Sequence, residues 1–200
     1  MRRFTVQKIL LLAGLCCGLL SLMAPPVLAM EMAATVGTFL VARDGLPDPR
    51  FNKSVILLIQ HDDGGSAGLI VNRPSRLPLA DLLGDQPDYA GLDGLLSYGG
   101  PVASNSLLAL ARVDEQAPTP SSKVFDSLYV TGIVELADWL ARDGATMRYR
   151  VFSGYAGWAP GQLAVELARG DWRVLPADIN SIFSARVDDL WLRLNRTRLL

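Results

Sequence analysis

The sequence predicts an α/β or α+β fold for the chain that follows residue 29. Short apolar runs of strand length alternate with single segments whose apolar residues recur at helical spacing. Stretches rich in Gly, Pro and Asp separate these segments, as between Asp44 and Pro49. No internal repeat or long linker interrupts them, so residues 30–200 are predicted to form a single domain.

Seven segments have the composition of β-strands. Ser54–Gln60 is a continuous run of mostly β-branched and aliphatic residues, which is typical of a strand buried on both faces. Two aspartates and two glycines in residues 61–66 predict a turn that leads into the next strand. A surface loop is predicted for residues 114–122, which contain two prolines. The seven predicted strands are residues 38–42, 54–60, 67–72, 95–98, 107–113, 128–131 and 147–152.

Four segments place apolar residues at helical spacing and are predicted to be helices. Pro160 suits the first turn of the third helix, and Gly170 suits its end. In the last helix, aspartates near the start and arginines near the end complement the helix dipole. The predicted apolar faces are Leu79, Leu82 and Leu83; Val134, Leu136, Ala137 and Leu140; Leu163 and Leu167; and Val187, Leu190, Trp191 and Leu194.

The first 29 residues have the order of a secretory signal peptide. Three basic residues precede an apolar stretch from Ile9 to Met23, which ends at two prolines and is shorter than the ~20 residues of a membrane-spanning helix. Cleavage is predicted after Ala29, which makes the mature protein periplasmic or secreted, with no stable transmembrane segment. Two alternatives remain open: an uncleaved N-terminal anchor, and a cytoplasmic protein that starts at Met30 or Met32.

Residue counts exclude several classes of site. Both cysteines, Cys16 and Cys17, lie in the predicted signal, which excludes a catalytic thiol, a disulfide framework and a cysteine-bound metal in the mature chain. The single histidine, His61, excludes a zinc site built on a histidine cluster. We therefore predict a protein without a cofactor or metal that is not an enzyme.

The balance of charge argues against a large nucleic-acid interface. The full chain has 19 basic and 20 acidic residues, and removal of three basic residues with the signal leaves 16 against 20, a net charge near −4. A protein that covers nucleic acid ordinarily carries an excess of basic residues. Binding to nucleic acid is accordingly not expected of an exported protein.

Two clusters of charged residues are candidate sites. His61 beside Asp62 could act as a base or a hard-metal ligand, whereas the alternative is that both bond to backbone at a hairpin turn. Arg50, Asn72 and Arg73 could together hold a carboxylate or phosphate if their segments pair. The alternative for this second cluster is a structural salt bridge from Asp48 to Arg50 or Arg73.

An aromatic group near the C-terminus is a third candidate. Tyr155, Trp158 and Gln162 lie among glycines and could line a groove for a small molecule, since aromatic platforms with one amide are common in such sites. The alternative is a tight turn that packs a helix onto the sheet and places Trp158 in the core. Neither interpretation identifies a ligand.

Four blocks of sequence stand out: residues 37–42 with 46–51 and 54–56; 61–62 with 67–74; 99–102; and 154–158 with 161–163, Glu166 and Trp172. These blocks resemble the signature blocks of the YqgE/AlgH family. Together they cover nearly the whole predicted mature chain. The resemblance implies a bifurcated mixed β-sheet, part of it closed as a small barrel, surrounded by helices. It implies no enzymatic activity and no catalytic residues, although members are often described as transcriptional regulators.

The functional prediction combines this resemblance with the signal. We expect a non-enzymatic binding or interaction protein exported to the cell envelope, with a protein or small molecule as its unidentified partner. The alternative is a cytoplasmic transcriptional regulator whose true start lies downstream of residue 1. A third hypothesis is a hydrolase or metal-assisted enzyme centred on His61 and Asp62.

Overall fold

The computed structural model describes residues 32–84, 86–89, 91–114, 117–143 and 148–196. The predicted signal peptide and its cleavage site lie outside these residues. The described strands are β1 Thr38–Ala42, β2 Val55–Asp62, β3 Gly65–Ile70, β4 Pro74–Pro78, β5 Leu95–Tyr98, β6 Val102–Arg112, β7 Ser121–Phe125, β8 Leu128–Gly132, β9 Arg148–Trp158 and β10 Trp172–Pro176. The helices are α1 Leu79–Leu83, α2 Ile133–Asp143, α3 Gln162–Ala168, α4 Ile179–Ile182 and α5 Leu190–Arg196, with single 3-10 turns at Pro87–Tyr89 and Val187–Asp189.

The strands form one curled sheet in a mixed α+β fold. Its main path runs β10-β1-β2-β3-β9-β6-β8-β7 with antiparallel neighbours throughout. The long strand β9 also pairs in parallel with β5, which in turn pairs with β4. The sheet therefore branches at β9 and curls into a half-barrel. The family resemblance implies instead that part of the sheet is closed as a small barrel.

Two hydrophobic clusters hold the sheet and the helices together. The larger one is centred on β1, β2 and β3 and includes α3 and α5, and the smaller one joins α1 and α2 to β6 and β9. Val55 to Leu58 of β2 are all fully buried, so the prediction of a strand covered on both faces is confirmed for these four residues, whereas Ile59 is half-buried and Gln60 is exposed. The described residues between 32 and 196 form one compact unit.

The structure departs from the predicted elements in ways that local pattern explains. Strand β2 continues through His61 and Asp62, so the turn lies at Asp63 and Gly64 rather than over residues 61–66. Strands β4, β7 and β10 and helix α4 were not predicted, because each is short and carries polar or proline residues. Leu82 and Val134, expected on buried helix faces, are exposed, and their helices pack through Leu79, Leu83 and Leu136 instead.

Two glycine-containing segments pass one another at the branch of the sheet. Gly154 of β9 has a φ of +66°, and a β-carbon there would lie 2.5 Å from the carbonyl oxygen of Gly100 and 2.7 Å from that of Val102. Gly99 and Gly100 likewise have backbone atoms of residues 154–156 where a β-carbon would be. This close approach of backbones sets the position of Val102 and the end of β9, which flank the cleft described below.

Tyr149 of β9 anchors the loop that precedes β5. Its hydroxyl donates to a carboxylate oxygen of Asp93 at 2.8 Å and accepts from the Asp93 backbone N–H at 2.7 Å. Desolvation is the main cause that raises the pKa of Tyr149 to about 12.

The raised pKa of Tyr149 predicts a loss of stability in strong base. Between pH 10 and 12 the native protein keeps a proton that the unfolded chain releases, so its free energy of unfolding falls as the pH rises. Urea unfolding at pH 9, 10 and 11 should show a steeper decline for the wild type than for Tyr149→Phe. Parallel declines for the two proteins would contradict the assignment.

Candidate functional site

A cleft of about 800 Å³ opens between the segment that follows β1 and the end of β9 with α3. The cleft size falls within the range of small-molecule sites, about 300 to 1,000 Å³. Apolar side chains form one part of its wall, aromatic rings form its floor, and charged groups surround its mouth. Its lining comprises Arg43, Leu46, Pro47, Asp48, Arg50, Phe51, Pro101, Val102, Gly157, Trp158, Gln162, Glu166, Arg169, Asp171 and Trp172.

Glu166 is the central hydrogen-bond acceptor of the floor. Its Oε2 atom accepts from the indole N–H of Trp158 and from that of Trp172, both at 2.8 Å. Its Oε1 atom accepts from the side-chain amide of Gln162 at 2.9 Å. Gln162 and Glu166 lie four residues apart on α3 and therefore face the same side of the helix. The helix thus fixes two indoles from two different strands with one carboxylate.

Three aromatic rings pack edge to face beneath the cleft. The rings of Trp158 and Trp172 have centroids 6.0 Å apart at 80°, and those of Phe51 and Trp172 are 6.0 Å apart at 72°. Only 7% of Trp158 and 5% of Trp172 is exposed. The arrangement is one that aromatic pairs favour.

Two arginines at the mouth of the cleft share one buried carboxylate. Arg169 donates from Nε at 2.9 Å and from Nη2 at 2.6 Å to Oδ2 of Asp171, and Nε of Arg43 lies 3.4 Å from Oδ1. The Asp171 side chain is 8% exposed, against 47% for Arg43 and 60% for Arg169. A third arginine, Arg50, pairs with Asp48 at 2.7 Å. The side-chain hydrogen bond from Arg50 holds the pKa of Asp48 below its usual value.

The structure places three of the sequence-predicted site residues in this cleft: Arg50, Trp158 and Gln162. Tyr155 lines a neighbouring hollow of about 500 Å³, which shares Val102, Gly157 and Trp158 with the cleft. The aromatic group is therefore divided between two adjacent depressions. Trp158 is also nearly buried, so it serves both the groove and the packing that the sequence offered as alternatives.

His61 and Asp62 make separate local contacts at the β2–β3 hairpin. Nδ1 of His61 lies 2.7 Å from the hydroxyl oxygen of Ser66, its neighbour on the paired strand. Asp62 accepts from the side-chain amide of Gln60 at 2.9 Å and from the backbone N–H of Gly64 at 2.7 Å. These bonds, the one from Gln60 first, hold the pKa of Asp62 below its usual value. Asp62 therefore makes the backbone bond that the hairpin interpretation expects, whereas the contact of His61 is with a side chain.

Asn72 and Arg73 form hydrogen bonds with backbone groups of the segment between β1 and β2 and of the first residue of β2. The Asn72 side chain accepts from the Val55 backbone N–H at 2.8 Å and donates to the Lys53 carbonyl at 2.9 Å. Arg73 donates to the backbone carbonyl oxygens of Arg50 and Asn52. Desolvation lowers the pKa of Arg73. These two residues therefore approach Arg50, as expected if the segments pair, and they position its loop through backbone contacts.

Five further residues of the cleft were not predicted from the sequence: Glu166, Trp172, Arg43, Arg169 and Asp171. One signal was available, because Trp158, Gln162 and Glu166 follow each other at intervals of four residues. The pairing of β10 with β1 brings Trp172 opposite Ala42 and Arg43 next to Asp171, and no local pattern encodes that contact.

Among the described residues, no group of three or more His, Cys, Asp or Glu side chains could hold a metal ion. No helix in that part of the chain is long and apolar enough to span a membrane.

Fold and cleft define a small α+β protein with a branched half-barrel sheet and a ligand-sized cleft beside its branch. The family model described as AlgH-like, DUF179, matches residues 39–198. The chain therefore belongs to the AlgH-like family, which is also called UPF0301, and the resemblance seen in the sequence is confirmed.

Relatives cover most of the chain at moderate identity. A UPF0301 protein of Streptomyces coelicolor is 38% identical over 174 residues, which is 83% of this chain and 88% of the relative. One from Methylococcus capsulatus is 37% identical over 175 residues, 84% of this chain and 94% of the relative.

Two solved structures share the fold. The solution structure of AlgH from Pseudomonas aeruginosa is similar with a TM-score of 0.67 at 26% identity, over 85% of this chain and 93% of that one. A crystal structure of a protein from Corynebacterium diphtheriae has a TM-score of 0.69 at 24% identity, over 84% of this chain and 88% of that one. The fold of the described residues is thus one that experiment has observed.

Proposed function

We propose that this protein is a non-enzymatic binding protein whose cleft takes a small-molecule ligand. The observation that carries the proposal is the preformed floor, in which Glu166 fixes Trp158 and Trp172 beneath about 800 Å³ of open space. Ligand sites are usually largely preformed and combine apolar walls with a few polar groups. The ionisable groups of the cleft are engaged with protein partners, which suits binding better than proton transfer.

Binding in the cleft can be tested through the indole N–H resonances of the four tryptophans. As a probe we choose 1-anilinonaphthalene-8-sulfonate, an aromatic anion that also fluoresces when it leaves water. We expect the Trp158 and Trp172 resonances to shift on titration. Those of Trp139, in the smaller cluster, and Trp191, whose indole donates to the Ala42 carbonyl, should stay in place.

A Gly157→Val variant should weaken this binding at least tenfold. The added β-carbon would meet the Tyr155 ring at 3.3 Å and Val102 at 3.4 Å, so the branched side chain would occupy space at the edge of the cleft. The control is Ala164→Val, at an exposed position of α3 that does not line the cleft. If the probe shifts no cleft resonance, or binds the Gly157→Val protein as tightly as the wild type, the proposal fails.

We further propose that the protein works in the cell envelope, on the support of the residue order in the first 29 positions. Intact mass and cell fractionation of the full-length protein in its own host test this. A species that begins at Met30 in the envelope fraction is expected. A species in the cytoplasm would instead favour the alternative, a regulator that starts at Met30 or Met32 or keeps its first residues.

A further inference from the structure

We infer that the ligand of the cleft is an organic anion, whose carboxylate or phosphate group lies against Arg43 and Arg169. The inference rests on the proposed binding function and specifies its chemistry. The carrying observation is the arrangement at the mouth, where two half-exposed guanidinium groups share the single buried carboxylate of Asp171, while the Glu166 carboxylate of the same cleft is engaged by three uncharged N–H donors. Arg50 is already matched one to one by Asp48.

The donors of the two arginines are incompletely used. A guanidinium group has five N–H donors. Arg169 spends its hydrogen bonds from Nε and Nη2 on one oxygen of Asp171. Arg43 contacts Asp171 through Nε at 3.4 Å, which is an ion pair without a close hydrogen bond. Among the described residues these groups have no other carboxylate partner, and both side chains are about half exposed while Asp171 is buried.

An oxyanion fits this arrangement better than a cation does. A cationic ligand would need to pair with the Glu166 carboxylate or to contact the faces of the aromatic rings. Glu166 already accepts three N–H bonds, two on one oxygen, and they come from the groups that form the floor. Only 7% of Trp158 and 5% of Trp172 is exposed, which leaves little surface for a cation–π contact. A guanidinium group is instead suited to carboxylates and phosphates, which it binds with two parallel hydrogen bonds.

The size and lining of the cleft indicate that the anion carries an apolar body. A volume of about 800 Å³ exceeds the needs of an inorganic ion. Leu46, Pro47, Pro101 and Val102 supply apolar surface in the same cleft as the arginines. We therefore expect the charged group at the mouth and the apolar part along this wall.

The test compares two dyes that differ by one charged group. 1-Anilinonaphthalene-8-sulfonate carries a sulfonate, which stands in for the ligand's oxyanion, and N-phenyl-1-naphthylamine has the same rings without it. The wild type should bind the sulfonate dye at least tenfold more tightly. Raising the salt concentration from 50 to 500 mM should weaken binding of the sulfonate dye and leave binding of the neutral dye unchanged, because salt screens exposed charges.

Variants of the arginines locate the effect. Arg43→Gln should weaken binding of the sulfonate dye about tenfold and leave binding of the neutral dye unchanged. Arg169→Lys should weaken binding of the sulfonate dye less, since the positive charge stays. Arg43 is half exposed and its loss leaves Asp171 paired with Arg169, so the fold should persist. Arg142→Gln is the matched control, at an exposed arginine of α2 that does not line the cleft.

The outcomes separate this inference from the proposed function. Equal binding of the two dyes, or an Arg43→Gln protein that binds both like the wild type, would overturn the preference for an anion while the cleft remains a binding site. If neither dye shifts the Trp158 and Trp172 resonances, the proposed function fails, and the preference for an anion fails with it. Competition of the bound sulfonate dye by benzoate and by phenyl phosphate then tells which oxyanion source the arginines prefer, with inorganic phosphate expected to compete weakly.

Discussion

Replacing Gly154 by Ala should lower the free energy of unfolding by about 4 kcal/mol. Two costs add. A non-glycine residue at a φ of +66° is strained by about 1–3 kcal/mol. The new β-carbon would also lie 2.5 Å from the Gly100 carbonyl oxygen and 2.7 Å from that of Val102. Overpacking of this kind costs about 1–3 kcal/mol and sometimes more.

The matched control for this prediction is Gly170→Ala. Gly170 has a similar φ of +73°, but nothing lies within 4 Å of its added β-carbon. It should lose only the conformational cost, about 1–2 kcal/mol. Urea unfolding followed by circular dichroism measures both proteins. Similar losses in the two variants would mean that the backbones near Gly154 separate easily, and would refute the rigid crossing.

The crossing explains why two of the sequence blocks that carry the family resemblance occur together. The block at residues 99–102 and the block at residues 154–158 form its two sides. Gly99, Gly100 and Gly154 therefore serve backbone approach more directly than ligand contact. A tight turn among these glycines was one of two interpretations of the sequence, but no local pattern shows that the partner is the other block.

The elements that sequence predicted best are those whose burial is continuous along the chain. Strand β1 matches its predicted bounds, and Val55 to Leu58 of β2 are buried as expected. Strand β10, in contrast, owes its existence to pairing with β1 across more than a hundred residues, and its residues 173–175 are only half buried. A local pattern cannot show that kind of stabilisation, because cross-strand packing depends on the partner.

The same limit applies to the candidate site. Arg50, Trp158 and Gln162 were selected from residue type, and the structure brings them to one cleft. Trp172 and Asp171 reach the cleft only because β10 lies beside β1, and Arg43 only because β1 ends there. His61 was the most conspicuous residue in the sequence, yet its contact is a cross-strand hydrogen bond with Ser66.

Glu166→Ala should lower the free energy of unfolding by about 3 kcal/mol and abolish binding in the cleft. The substitution removes the acceptor of two indole N–H groups that are almost completely buried. Each buried donor left without a partner costs about 1–3 kcal/mol. Gln162 also loses its bond to Oε1 of Glu166, which frees the start of α3. The Trp158 and Trp172 indole resonances should move upfield, since both protons lose a charged acceptor.

Glu166→Gln separates the role of the carboxylate oxygen from the role of its charge. The amide oxygen of the new side chain can still accept from both indoles, so we expect a loss of only about 1 kcal/mol. Its NH₂ group, however, would face the amide donor of Gln162, which must then turn away from the backbone N–H of Ala159. If both variants were equally unstable, the negative charge would be the stabilising feature. If neither were destabilised, the floor would be held by ring packing alone, and the cleft would not depend on Glu166 for its shape.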